Sequence, residues 1–407
     1  MYLLFSWRYF KAKKSTNAIN IIAWISTLAI AVGAAALVSV LSVFNGFEAL
    51  VKTLYSSFYT DLKIIPASGK VLVLTASELA KLRGTANVAD LSCVVEEKAI
   101  LQNADYQSTQ VFLKGVDADY ANITGIKEHI VRGHFDLGSS DTPYLVMGSG
   151  VEAALGLLTD RTVYPVTAYL PRKNVPTGDD PLGAISEGNM VPTGTFAIQQ
   201  DFDDKYVITN IGVVKSLLGF KPDEYSAIEL KVDVPDNLPE TQKKIRDMLG
   251  KDFIVETRYE QNRSLYMVMR VEKWAIFSIL ILILSVAAFN MVGALTMLVL
   301  EKQKDIQVLK AMGAGDAFIQ RIFIGEGMVL AGLGTLLGVG CALLLCWMQV
   351  HYKLIPLAGG SFVIDYYPVK VLPLDILVVV GSIFIVAALA SWYPARKAGM
   401  EKVDLRS

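Results

Sequence analysis

The chain has 407 residues, 53% of them hydrophobic and 19% charged, and its 38 basic and 39 acidic side chains leave a formal net charge of −1. That composition is too apolar for a soluble protein and too charged for a bundle made only of membrane spans. The charge balance leaves no basic excess, and no nucleic acid partner is expected.

The apolar residues gather in four stretches, 18–44, 274–300, 327–350 and 376–395, with 27, 27, 24 and 20 residues free of Asp, Glu, Lys and Arg. About 20 helical residues cross a hydrocarbon core of roughly 30 Å, so each stretch can span a bilayer. The first is too long for the apolar region of a cleaved signal peptide and reads as a retained span. The predicted fold is an integral membrane α-helical protein of four transmembrane helices, with a large extracytoplasmic α+β domain inserted between helices 1 and 2.

In chain order, residues 1–17 form a segment carrying Arg8, Lys11, Lys13 and Lys14 and no acid. The first span covers 18–45. Residues 46–270 form the external domain. Within it DLKIIP, KVLVL and STQVFLKGVD read as strands, and TASELAKLRG reads as a helix with a capping box at Thr75 and Glu78 and Gly84 near its end. Past residue 224 a strand (YSAIELKVDV), a helix stopped at Gly250 and a strand (DFIVET) follow. The two ends of the segment are expected to form one subdomain, with about residues 116–220 inserted. Inside that insertion Tyr169–Gly194 holds four Pro and four Gly and reads as a protruding loop or long hairpin.

The second span covers 271–300. A charged island, 301–315, follows; its first twelve residues suit three helical turns with Ile306, Leu309 and Met312 on one side and Lys302, Lys304 and Asp305 outward. The third span, 316–350, opens with Asp316 as the expected N-cap after a Gly-Ala-Gly turn. Its Gly334-x-x-x-Gly338 predicts a close seam within the subunit or at a dimer. Glu326, about one turn inside, is expected to face protein or a polar interface. A short loop, 351–370, leads to the fourth span, 371–395, and a tail, 396–407. Lys and Arg crowd the first segment, the island and the tail, which predicts a cytoplasmic side for both termini and the island.

The sequence carries little catalytic chemistry. There is no P-loop, no H-E-x-x-H and no G-x-S-x-G. His129 and His134 do not suggest a metal, and the Asp201, Asp203, Asp204 cluster lacks the glycine and distal glutamate of a calcium loop. Gly313-Ala314-Gly315-Asp316 spells the GxGD of intramembrane proteases. Such an enzyme needs a second nearby carboxylate, and Asp375 begins the fourth span at the opposite face. No catalytic residue and no metal site are expected.

VEKWAIFSILILILSVAAFNM, LVLEKQKDIQVLKAMGA, the GEG…GTLLG third span and SWYPARKAGMEKVDLR together resemble the FtsX/MacB-type permease family. The opening SWRYFKAKKSTNAINIIAWISTLAIAVGAAALVSVLSVFNGFE resembles more narrowly its lipoprotein-releasing LolC/LolE type, as do FLKGVD and VMGSGVEAALGL. The resemblance covers nearly the whole chain in order. It implies a non-catalytic permease subunit of the bacterial inner membrane, its large domain periplasmic, paired as homodimer or heterodimer with a second permease subunit. It also implies an ABC ATPase partner (LolD-like) that holds ATP and Mg, while this chain binds no cofactor. The complex would extract lipoproteins from the surrounding membrane lipid and hand them to a periplasmic carrier (LolA-like). Coupling to the ATPase would fall on Glu301, Lys302, Lys304, Asp305, Leu309, Lys310, Met312 and Gly313. A carrier-binding loop would fall on Tyr169, Leu170, Pro171, Arg172, Lys173, Pro176, Pro181, Met190 and Pro192. An acyl-chain cleft between the outer ends of spans one and two would use Val40, Val43, Phe44, Phe47, Met267, Met269 and Phe277. A MacB-like efflux permease, or an FtsX-like signalling subunit that controls cell-wall hydrolases, is the alternative.

Overall fold

The computed structural model describes residues 17–161, 164–172, 185–357 and 366–400. Eight helices of two turns or more occur among them: α1 (Asn17–Phe58), α2 (Ala76–Arg83), α3 (Ile211–Leu218), α4 (Leu238–Leu249), α5 (Arg263–Glu301), α6 (Gln303–Ala311), α7 (Asp316–Tyr352) and α8 (Pro373–Gly399). Twelve strands accompany them: β1 (Leu62–Pro66), β2 (Leu72–Val73), β3 (Val88–Gln102), β4 (Ser108–Val116), β5 (Ile130–Gly133), β6 (Tyr144–Gly148), β7 (Val166–Pro171), β8 (Ile185–Phe196), β9 (Tyr206–Asn210), β10 (Glu224–Tyr225), β11 (Ala227–Val232) and β12 (Phe253–Thr257). Two units result. Among the described residues a span unit takes 17–50, 267–357 and 366–400, and an α+β unit takes those of 51–266.

Four helices, α1, α5, α7 and α8, are long and apolar enough to cross a membrane. In the span unit their shared core includes Ile30, Leu37, Met291, Leu295, Leu330 and Ile383. The predicted glycine seam lies inside the subunit, where α7 meets α1. A Cβ at Gly334 would fall 2.8 Å from the Thr27 carbonyl oxygen, and one at Gly338 would fall 2.7 Å from the Ala34 Cβ. Gly327 does the same toward α8, where a Cβ would meet that of Ser391 at 2.9 Å. Only hydrogen fits at these crossings, so glycine lets the helices approach closely and exchange dispersion contacts that water exclusion cannot supply in lipid. Glu326 is 1% exposed and faces protein, as expected.

The α+β unit is built on a ten-stranded mixed sheet in the order β12-β1-β11-β3-β4-β9-β6-β8-β5, with β7 bridging β3 and β8. Strands from both ends of the segment, β1, β11, β12 and the first half of β3, pack with α2 and α4 over Leu62, Ile64, Leu82, Leu230, Ile245 and Val255. The later half of β3, β4 and β6–β9 pack with α3 over a second core that includes Leu113, Met147, Leu170, Met190 and Val214. Gly115 allows that packing, since a Cβ there would meet Val214 at 2.7 Å. The capping box at Thr75 and Glu78 closes as expected, and Gly250 leaves α4 at φ +81°, a conformation glycine adopts without strain. KVLVL is the exception: only Leu72 and Val73 pair, with β10 in a separate two-stranded ribbon.

The last turn of α1 is held inside this unit. Phe58, 1% exposed, stacks on Phe202 at 4.5 Å and lies 4.6 Å from the Tyr206 ring. Beneath it the Lys114 ammonium sits 4.9 Å from the Phe58 ring, pairs with the Glu229 carboxylate at 2.8 Å and donates to the Tyr120 hydroxyl at 3.0 Å. Both ions are almost wholly buried, so each compensates a charge that would be costly alone.

The Asp201, Asp203, Asp204 cluster is a helical turn, Gln200–Asp203, with Asp201 bridged to Lys205 at 3.3 Å. Burial pushes Asp203 up to about 6, against the hydrogen bonds it accepts from the Ile198 and Gln199 amides. Its folded pKa thus exceeds the unfolded value near 4, so this group's contribution is most favourable below pH ~4 and is lost as pH rises through about 6. Asp203→Asn keeps an acceptor and removes the ionisation. Thermal melts of the detergent-solubilised chain should show the variant more stable than the parent at pH 7.5, and the two equal near pH 4. Gly338→Leu, in contrast, should destabilise the span unit at any pH by about 1–3 kcal/mol or more, seen as a lowered melting temperature or aggregation in size-exclusion chromatography.

Candidate functional site

The two ends of the span unit carry its polar chemistry. At one end, α5 passes through Lys302 into α6, and α6 into the turn before α7. Ile306 is buried against Leu298, Val299, Ile319, Phe323, Ala395 and Ala398. Lys310 holds the turn: its ammonium pairs with the Asp316 carboxylate at 2.8 Å and donates to the Gly399 carbonyl at 2.6 Å. Gly313, at φ +93°, lets the chain reverse, and the Ala314 amide reaches back to the Leu309 carbonyl at 3.0 Å.

Several expectations change here. Glu301 is the last residue of α5, and α6 begins only at Gln303. Met312 lies past the end of α6 and is 78% exposed, so it does not share the inward side of Ile306; Leu309 is half-buried. Lys302 pairs with Asp305 at 3.0 Å, and Lys304 points outward. Asp316 is the first residue of α7 rather than its N-cap, a position taken by the extended Gly315, and its carboxylate is engaged by Lys310. The large outward apolar residues of α6 and the turn that follows it are Val308, 58% exposed, and Met312.

At the other end, three helices meet in a polar knot. The Asn45 amide of α1 donates to the Asp375 carboxylate of α8 at 2.6 Å. The Lys273 ammonium of α5 donates to the Asn45 carbonyl oxygen at 2.9 Å and lies 3.4 Å from Asp375. The neighbours of Asn45 complete the arrangement. Gly46 lies so close to the 366–370 segment that a Cβ would fall 2.7 Å from the Val369 amide nitrogen; Phe47 sets its edge against Tyr367 at 5.6 Å; and Ser42 accepts from the Lys370 amide at 2.9 Å. The sequence Asn45-Gly46-Phe47 is therefore a joint, each residue serving a different contact.

Beside the knot a cavity of about 310 Å3 opens between α1, α5 and α8, lined by Leu41, Arg270, Lys273, Trp274, Phe277, Leu374, Asp375 and Val378. Of the seven residues expected to form an acyl-chain cleft, only Phe277 lines it. Val40 and Met267 are exposed, Val43, Phe44 and Met269 are half-buried, and Phe47 is taken up by Tyr367. The knot itself was not legible in the sequence. Lys273 and Asp375 lie 102 positions apart, and nothing local links a boundary lysine to the first turn of the fourth span.

In the α+β unit, β7 and β8 pair from Val166↔Met190 to Pro171↔Ile185, making a hairpin of the Pro- and Gly-rich stretch. Lys173, Pro176 and Pro181 fall outside the described residues. Leu170 and Met190 are buried in the core, and Tyr169 and Pro192 are strand residues, so these four belong to the hairpin's base. Arg172 donates to the Ser186 hydroxyl at 2.7 Å. Among the described residues no three His, Cys, Asp or Glu side chains converge as a metal would need.

A family model described as the MacB-like periplasmic core domain matches residues 23–248, and one described as the FtsX-like permease C-terminal domain matches 277–401. The lipoprotein-releasing system transmembrane protein LolC of Neisseria meningitidis is 28% identical, over 98% of this chain and 97% of its own length. The corresponding LolE protein of Haemophilus influenzae is 24% identical, over 97% of this chain and 95% of its own. With a MacB-like domain inserted after the first of four apolar helices and an FtsX-like module formed by the other three, the chain belongs to the FtsX/MacB-type family of ABC permeases.

Proposed function

We propose that this chain is a permease subunit of a lipoprotein-releasing ABC transporter. The observation that carries the reading is the end-to-end likeness to LolC and LolE proteins, which extends through both the span unit and the inserted domain. On this reading the chain lies in the bacterial inner membrane with its termini and α6 cytoplasmic and its α+β unit periplasmic. It pairs with a second permease subunit, and a separate LolD-like ATPase supplies the nucleotide chemistry with ATP and Mg. Lipoprotein leaves the bilayer beside α1 and α5, where Val40, Val43, Phe44, Met267 and Met269 remain candidate contacts, and passes to a LolA-like carrier at the β7–β8 hairpin.

The geometry separates holding residues from contacting residues. Lys310 ties three segments together, so its replacement would damage the fold of that end before it reported on any partner. Val308 and Met312 are exposed and apolar, the character expected of anchors for a partner's groove. The chain should therefore co-purify with an ATPase and with lipoprotein in mild detergent. Val308→Asp with Met312→Asp should lose the ATPase by about tenfold or more while the melting temperature stays unchanged; retention of the ATPase would remove α6 as the coupling element. For the carrier, a Gly-Ser replacement must stop short of β7 and β8, because Ser186 and Met190 are buried. Replacing 173–184 alone should abolish carrier capture and leave ATPase binding intact, whereas undiminished capture would place the carrier elsewhere.

A further inference from the structure

The cavity beside the polar knot has a polar end and an apolar end. On α5, Arg270 and Lys273 precede Phe277 by seven and four residues, which at 1.5 Å per residue is roughly 10 and 6 Å. On α8, Asp375 comes one turn before Val378. The charges thus gather where the apolar stretches of the two helices begin, and Trp274, Phe277, Leu374 and Val378 continue the wall into those stretches. Tryptophan beside cations is the usual side-chain pattern of a membrane–water boundary.

The charges do not cancel. Lys273 and Asp375 engage each other and Asn45. Arg270 is exposed and, among the described residues, has neither an ion-pair nor a hydrogen-bond partner. Two cations and one carboxylate leave the lining with one excess positive charge. Its free member is a guanidinium, whose planar fork matches two phosphate oxygens. A volume of about 310 Å3 is at the low end for ligand pockets and suits one acyl chain rather than a whole lipid tail region.

We propose that this cavity binds a phospholipid of the surrounding bilayer whose headgroup carries a single net negative charge, its phosphate on Arg270 and one acyl chain along Trp274, Phe277, Leu374 and Val378. A zwitterionic lipid fits less well, because its ammonium would face Arg270 and Lys273. The site rests on the membrane-spanning reading of the four helices, and it shares only Phe277 with the seven residues expected to contact lipoprotein.

The test is native mass spectrometry of the full chain, incubated with equimolar phosphatidylglycerol and phosphatidylethanolamine of matched acyl chains. Both lipids offer the phosphate, but only phosphatidylethanolamine brings an ammonium towards Arg270 and Lys273, so phosphatidylglycerol should be retained about five- to tenfold over it, the equivalent of roughly 1 kcal/mol of like-charge repulsion. Arg270→Gln should erase that preference and Arg270→Lys should keep most of it, with melting temperature confirming that both variants fold. A photo-crosslinker at Val378 should capture phospholipid. Equal retention of the two lipids, an undiminished preference in Arg270→Gln, or capture only of lipoprotein at Val378 would each overturn the site. Lipoprotein crosslinks at Val43 and Phe44 report independently on the functional reading, so the two can fail separately.

Discussion

The span unit depends on the meeting of Asn45, Lys273 and Asp375. A lysine or an aspartate at the edge of hydrocarbon is costly unless it finds an opposite charge or a hydrogen-bond partner, and here each of three helices contributes one group of a mutually satisfied set. Removal of any member leaves the other two incompletely paired. The neighbours of Asn45 on α1 fix the adjoining segment, since Ser42, Gly46 and Phe47 bind residues 366–370 through the Lys370 amide, a backbone crossing and the Tyr367 ring. The helix α7 enters by another route, through glycines that admit the backbone of α1 and the Ser391 side chain of α8. At the far end a second cation–carboxylate contact, Lys310 with Asp316, binds the turn to the end of α8 through the Gly399 carbonyl. The span unit is pinned at both ends by polar contacts and filled between them by Leu, Ile and Ala.

The α+β unit follows the same logic with water available. Its sheet needs helices on one face to bury Ile, Val and Leu, and α2, α3 and α4 supply them. Elsewhere in the unit a buried Lys114–Glu229 pair and an aromatic group close around Phe58, the last residue of the first span's helix. Burial and the adjacent Glu229 carboxylate push the Tyr120 hydroxyl far above the usual phenol range, which keeps it neutral and able to accept from Lys114. That leaves α1 continuous from Asn17 to Phe58, with its final turn ordered by packing rather than ending as a frayed helix.

How much of this was legible in the sequence depends on the range of the interaction. The existence of four long apolar helices, the α2 capping box, the Gly250 stop and the strands around DLKIIP and STQVFLKGVD are written in local periodicity and turn chemistry and appear in the structure, although α1 runs on to Phe58 and α5 begins at Arg263, beyond the apolar stretches that announce them. The Gly334–Gly338 spacing announced a close approach but not its partner, which the structure identifies as α1. KVLVL has strand composition, yet only two of its residues pair, since the main sheet already has β11 beside β1. Met312 illustrates the limit of helical counting: its spacing matched Ile306, but the helix stops one residue earlier and the side chain faces outward. The knot and the cavity beside it depend on residues from three distant helices, and no local pattern encodes that meeting.

The proposed function requires that ATP hydrolysis by a partner drive lipoprotein out of the bilayer and onto a carrier. The most direct test is reconstitution of the chain, its permease partner and the ATPase in liposomes preloaded with a triacylated lipoprotein, followed by measurement of lipoprotein transferred to soluble carrier. Transfer should require ATP hydrolysis, this chain and the carrier together. ATP hydrolysis at full rate with no lipoprotein leaving the liposomes would contradict it.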